Sequence, residues 1–163
     1  HLDTVAMTLS VEEYPDEADS KLNRLIKSSD WEAVRGMLDT EEGEEMTRKA
    51  DKYGNLPLHF CLGFRAPDDV IISVLSHYPN ATRMHGTDYW LPLHIAAMWG
   101  SSSRVMEEII KCYPQGLDDA GEPGIKGRTP RHFATSRFGH NKPLLERSTA
   151  DWIKIIDSSE YKK

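Results

Sequence analysis

"LPLHFC" at residues 56–61 is answered by "LPLHIA" at 91–96, 35 residues later. A His two places after a Pro could serve catalysis, metal binding or architecture, so the sequence around each copy has to decide. Downstream, Val70, Ile71, Val74, Leu75 and Tyr78 recur with the same shift as Val105, Met106, Ile109, Ile110 and Tyr113. Positions i, i+1, i+4, i+5 and i+8 form one apolar face of a helix. Asp68, Asp69 and Ser101–Ser103 place side-chain oxygens at the start of that helix, and Pro79 and Pro114 cannot continue it at its end. Pro57 and Pro92 suit the first turn of an earlier helix, where the missing N–H has no partner to lose. Each unit is therefore a short helix opened by Pro, a turn, a second helix stopped by Tyr-Pro, and a polar connector.

Two further units follow from the same template. "GRTPRHFA" at 127–134 restores Thr-Pro-x-His with Thr129 placed as an N-cap, and "LNRLIKSSDWEAVRGML" at 22–38 carries Ala33, Val34, Met37 and Leu38 in the second-helix pattern. The units span about 21–50, 51–85, 86–123 and 124–147. With "LPLHFC", "LPLHIAA", "TPRHFA" and "SDWEAVRGML" in register, the chain resembles the ankyrin-repeat family, whose unit of about 33 residues opens on Thr-Pro-Leu-His-x-Ala. The resemblance covers roughly residues 21–147. It implies an all-α solenoid of stacked helix-turn-helix units with protruding connector fingers. The sequence departs from the family at several points. Leu56 and Leu91 stand for the capping Thr, Arg131 for the Leu, and Tyr89 for the turn Gly that is present as Gly54 and Gly127. A Tyr disfavours positive φ, so the third connector is expected to differ in shape.

One helix pair buries only one face, so neighbouring units must share a core. Leu58, Phe60, Leu93, Ile95, Phe133 and the second-helix series are its expected members. Residues 148–163 read as a capping helix and tail, whose Trp152, Ile153, Ile155 and Ile156, with Leu144 and Leu145 upstream, would cover the last open face. Its start is ambiguous between Pro143 and Thr149. Residues 1–20 read as an acidic N-terminal arm.

The net charge of −6 is uneven, with 13 acidic against 6 basic residues in positions 1–50 and near balance beyond. "VEEYPDEAD" at 11–19 and "DTEEGEE" at 39–45 read as solvated runs, with docking on a basic patch of a partner as the alternative. Nucleic-acid binding, which needs a basic stripe, is disfavoured. The longest apolar runs are far short of the roughly 20 residues a spanning helix needs. Two cysteines without ligand or redox spacing point to a reducing interior. The expected compartment is intracellular, cytoplasmic first, with an organelle open because the chain begins at His1 and a targeting segment upstream would go unseen.

Catalytic and metal roles find little support. Equivalent positions on stacked helices lie roughly 8–10 Å apart, whereas two ligands of one zinc each sit about 2 Å from it. His59 and His94 therefore cannot share an ion. The ankyrin resemblance implies instead that His59, His94 and His132 brace the turns by hydrogen bonds. Cys61 takes the family's small Ala position and is expected in the core. No nucleophile-elbow, phosphate-loop, zinc-helix or calcium-loop pattern is present. No cofactor, metal or small-molecule substrate is expected.

What remains is an interaction surface. The resemblance implies binding through connector tips and the concave face of the first helices. The tips carry Tyr53, His85, Asp88, Tyr89 and Trp90, and the first-helix ends carry Phe64, Arg65, Met98, Trp99 and Arg137. Trp, Tyr and Arg dominate interface energetics. Trp90 and Trp99 could equally fold back and fill gaps between units. The expected function is a non-catalytic protein–protein interaction module, an adaptor or scaffold. The alternatives are a small subunit built permanently into a larger complex, or a regulatory fragment of a multidomain enzyme.

Overall fold

The computed structural model describes residues 19–121 and 127–161. Residues 1–18 of the expected arm, part of the last connector and the final two residues lie outside the described residues. The described residues form helices joined by turns and short 3₁₀ segments, with no strand among them. They are α1 (Lys21–Lys27), α2 (Trp31–Leu38), α3 (Glu41–Met46), α4 (Pro57–Gly63), α5 (Asp68–His77), α6 (Pro92–Trp99), α7 (Ser103–Cys112), α8 (Lys142–Glu146) and α9 (Thr149–Tyr161).

The helices stack in two rows. α1, α4 and α6 pack side by side in sequence order and meet the 3₁₀ segment Pro130–Phe133, while α2, α5 and α7 form the second row and end on α8 and α9. Each first-row helix also packs on its own partner, α1 on α2, α4 on α5 and α6 on α7. The core between the rows contains most of the predicted residues, Tyr78 and Tyr113 being half-buried at its edge. Leu58, Phe60, Leu93, Ile95, Val70, Ile71, Val74, Leu75, Val105, Met106, Ile109, Ile110 and Cys61 are all buried, and Phe133 is half-buried. Burying Cys61 pushes its thiol pKa up, because the thiolate would lose its hydration.

Local chemistry sets the boundaries. Pro57 and Pro92 occupy the first turn of α4 and α6, and α5 and α7 end just before Tyr78-Pro79 and Tyr113-Pro114. Ser102 caps α7, its hydroxyl accepting from the Val105 N–H at 3.2 Å and donating to Asp68 of the preceding unit at 2.7 Å. At α6 the chain leaves the helix through Gly100 in the left-handed region, φ 70°, where the Phe138 ring occupies the space a side chain would need.

Four local readings are sharpened or corrected. The acidic run at 39–45 is solvated as expected, but it is built into a helix. Residues 41–46 form α3, capped by Thr40, with Glu41, Glu42 and Glu44 at the positive end of the helix dipole. Asp19 and Ser20 belong to the folded body: Ser20 caps α1, and Asp19 is a buried partner of Lys27. At the C-terminus both candidate starts are used, because α8 opens with Lys142-Pro143 and α9 opens at Thr149. The cap of α9 is Ser148 rather than Thr149, its hydroxyl accepting from the Asp151 N–H at 3.1 Å. Finally, Pro130–Phe133 is a 3₁₀ turn and not an α-helix, and Thr129 makes no side-chain cap.

Candidate protein-interaction surface

The first two connectors share two backbone hydrogen bonds. In the first, Asp51 N–H donates to Asn55 O at 2.9 Å and Gly54 N–H to Asp51 O at 3.1 Å; in the second, Gly86 N–H donates to Trp90 O at 2.9 Å and Tyr89 N–H to Gly86 O at 3.0 Å. Gly54 sits at φ 87° and Tyr89 at φ 58°. The third connector does differ in shape, as expected: Asp88 stands in the left-handed region at φ 60° where its counterpart Tyr53 does not, although Tyr89 itself accepts the left-handed conformation of Gly54.

Buried polar side chains hold the turns. Asn55, fully buried, donates to Thr87 Oγ1 at 2.8 Å and accepts from the Thr87 N–H at 2.9 Å, which ties one turn to the next. His59 Nδ1 accepts from the Leu56 N–H at 3.0 Å, and its Nε2–H donates to Met84 O at 3.0 Å. His94 repeats the pair, accepting from Leu91 N–H at 3.0 Å and donating toward Asp119 O at 3.0 Å and Arg128 O at 2.9 Å. Since Leu56 and Leu91 have no capping oxygen, these imidazoles cap the helix starts. Both nitrogens of each ring are occupied by backbone. Burial holds the His59 pKa down at about 4 and lowers that of His94, because the imidazolium would lose its hydration. Among the described residues no group of His, Cys, Asp and Glu is arranged to hold a metal ion.

His132 departs from this scheme. It is exposed, and its ring meets Phe133 edge-on at 5.6 Å. The bracing role expected for it is corrected. His59 and His94 each reach a connector carbonyl 25 residues ahead, and the position equivalent for His132 is residue 157, inside α9, where no connector follows.

The ten predicted contact residues fall into two groups. Tyr53 and Tyr89 project from the turns, 46% and 50% exposed, beside exposed His85 and Asp88. His85 is held by Asp119 at 2.9 Å and lies 6.4 Å from the Tyr89 ring. Trp90 is half-buried beneath them, stacked on His94 at 5.6 Å and set edge-on to Phe133 at 5.9 Å. At the helix ends, Arg65 and Arg137 are exposed and Phe64 is half-buried, but Met98 and Trp99 are buried at 2% and 8% exposure. The expected exposure of Met98 is corrected, whereas Trp99 takes the alternative of folding back into the stack, with the Arg65 guanidinium over its ring at 4.4 Å. Sequence reasoning also missed Met84, 43% exposed beside the second turn. A lone Met in a polar connector gives no periodic signal.

No family model matches the chain, and no curated protein or solved structure matches it. Among the described residues no helix is long and apolar enough to cross a membrane.

Proposed function

We propose that the chain is a non-catalytic protein–protein interaction module, a solenoid of the ankyrin type that grips a protein partner with its connector tips and adjoining helix ends. The ankyrin reading is supported by a repeat in sequence that carries a repeat in hydrogen bonding. The sequence motif returns after 35 residues, and the hydrogen-bonded turn with its bracing His returns at the same interval. Units that touch only their neighbours present an extended row of tips, which suits a polypeptide partner better than an enclosed ligand.

The observation that carries the binding proposal is Tyr89. A left-handed Tyr costs about 1–2 kcal/mol relative to an ordinary backbone conformation, a Gly at the matching place in the previous turn avoids that cost, and the Tyr ring is half exposed. Strain of this kind is retained where the side chain is needed. A rigid aromatic on a braced turn loses little entropy on binding. The test is affinity purification with mass spectrometry on the wild-type chain and on a Tyr53→Ala/Tyr89→Ala variant with an unchanged melting profile. Loss of the same partners from the variant supports the tips as the contact surface. Identical recovery refutes it.

A further inference from the structure

Aligned on their histidines, the third and fourth units are offset by 38 residues, which sets Arg131, Thr135, Ser136 and Arg137 opposite Leu93, Ala97, Met98 and Trp99. The four residues of the third unit are all buried. Their polar counterparts cannot be buried without matched partners, and a short helix without an apolar face to pack loses its main support. The fourth unit breaks accordingly into two 3₁₀ turns, Pro130–Phe133 and Ser136–Phe138, with Ala134 outside helical geometry at ψ 68° between them. Arg131 turns away to Asp118 and the carbonyls of Leu145 and Arg147.

The break leaves a cleft of about 210 Å³ against the end of α6. Met98, Phe133 and Phe138 supply apolar walls, Arg128, His132 and Arg137 supply polar ones, and no acidic residue among the described residues lines it. Arg128 and Arg137 take part in no ion pair among the described residues. The Arg137 guanidinium lies over the Phe138 ring at 5.0 Å, an arrangement that steadies the group while leaving its N–H edge able to fork onto a carboxylate. Two guanidiniums without an ion pair among the described residues thus line one cleft in a chain of net charge −6. The volume is below the roughly 300–1,000 Å³ of small-molecule sites and suits one or two side chains.

We infer that this cleft is a subsite for an acidic residue of a protein partner, its carboxylate held by Arg128 and Arg137 and an adjacent apolar side chain packed on Phe133 and Phe138. The inference rests on the interaction-module reading and supplies the partner chemistry for one part of the surface. Its test uses the full chain, isotope-labelled, titrated with the acetylated tripeptide amide Glu-Phe-Glu and followed by backbone amide shifts. Saturable shifts centred on residues 97–98 and 128–138 are expected, with binding roughly tenfold weaker for the Gln-Phe-Gln tripeptide and for an Arg128→Gln/Arg137→Gln variant, the loss of about one charged contact. Both substituted residues lie on the surface of the cleft, and an unchanged melting profile establishes that the variant is folded. Equal binding of the Gln tripeptide, indifference to the double substitution, or shifts produced by inorganic phosphate but by neither tripeptide would each overturn the subsite. Absence of any tripeptide binding removes the cleft and leaves the connector-tip reading standing, because Tyr53 and Tyr89 are outside it. Loss of that reading, conversely, appears only in the partner-capture experiment.

Discussion

Tyr89 holds the backbone conformation that Gly54 holds 35 residues earlier, φ 58° against 87°, within a turn closed by the same two hydrogen bonds. Replacing Tyr89 by Gly should therefore stabilise the protein by about 0.5–1 kcal/mol, the relief of left-handed strain offset by greater freedom of the unfolded chain. Tyr89→Ala keeps the strain and should gain nothing. Thermal melting checks the first pair of outcomes. Partner capture should fall for both variants, so that stability and binding move in opposite directions only for Gly.

His59 makes stability depend on pH. Its folded pKa is held at about 4 against an ordinary 6.5, so between these values the unfolded chain binds a proton that the folded chain does not. The contribution is fully present above about pH 6.5 and is lost as pH falls toward 4. For a fully buried group this amounts to about 3 kcal/mol, and His94 shifts in the same direction. Denaturant unfolding from pH 7 to pH 4 should show stability falling across that window, with a shallower fall in His59→Asn. A pH-independent midpoint would contradict the assignment.

Asn55 is the buried link between consecutive connectors, and its side chain satisfies both Thr87 groups. Asn55→Ala removes both bonds to Thr87 at a cost of about 1–3 kcal/mol. Hydrogen exchange should accelerate at residues 86–90 more than in α5 or α7. Uniform acceleration across the chain would indicate global destabilisation instead.

Arg131 joins the last unit to the terminal helices by donating to Asp118 at 2.8 Å, to the Leu145 and Arg147 carbonyls, and to Thr149 at 3.1 Å. The same ion pair holds the Asp118 carboxyl below the usual carboxylate range. Arg131→Leu restores the side chain usual in ankyrin repeats but strands these acceptors. It should lower stability by about 1–3 kcal/mol and raise exchange in α8 and α9 before α4 or α6. A stabilised variant would show that packing outweighs these bonds.

Much of the architecture was legible because it depends on local spacing. The apolar series at 70–78 and 105–113, the prolines that open and close helices, and the histidines that cap Leu56 and Leu91 each act within one or two turns of chain. The candidate surface was less legible. Trp99 and Arg137 occupy matching positions, yet one is buried under Arg65 and the other stands exposed. His132 carries the motif of His59 without a following connector to brace. Neither difference is visible in the residue's own neighbourhood along the chain.

The sequence by itself determined the helical units, their order and their period, because hydrogen bonding within a helix and the placement of Pro and capping groups are settled over a few residues. Only the tertiary structure decided which faces remain open. Exposure depends on what the adjoining unit places opposite each side chain, and the fourth unit, with Arg131, Thr135 and Ser136 at positions that need apolar groups, could not close against α6 as its predecessors close on one another.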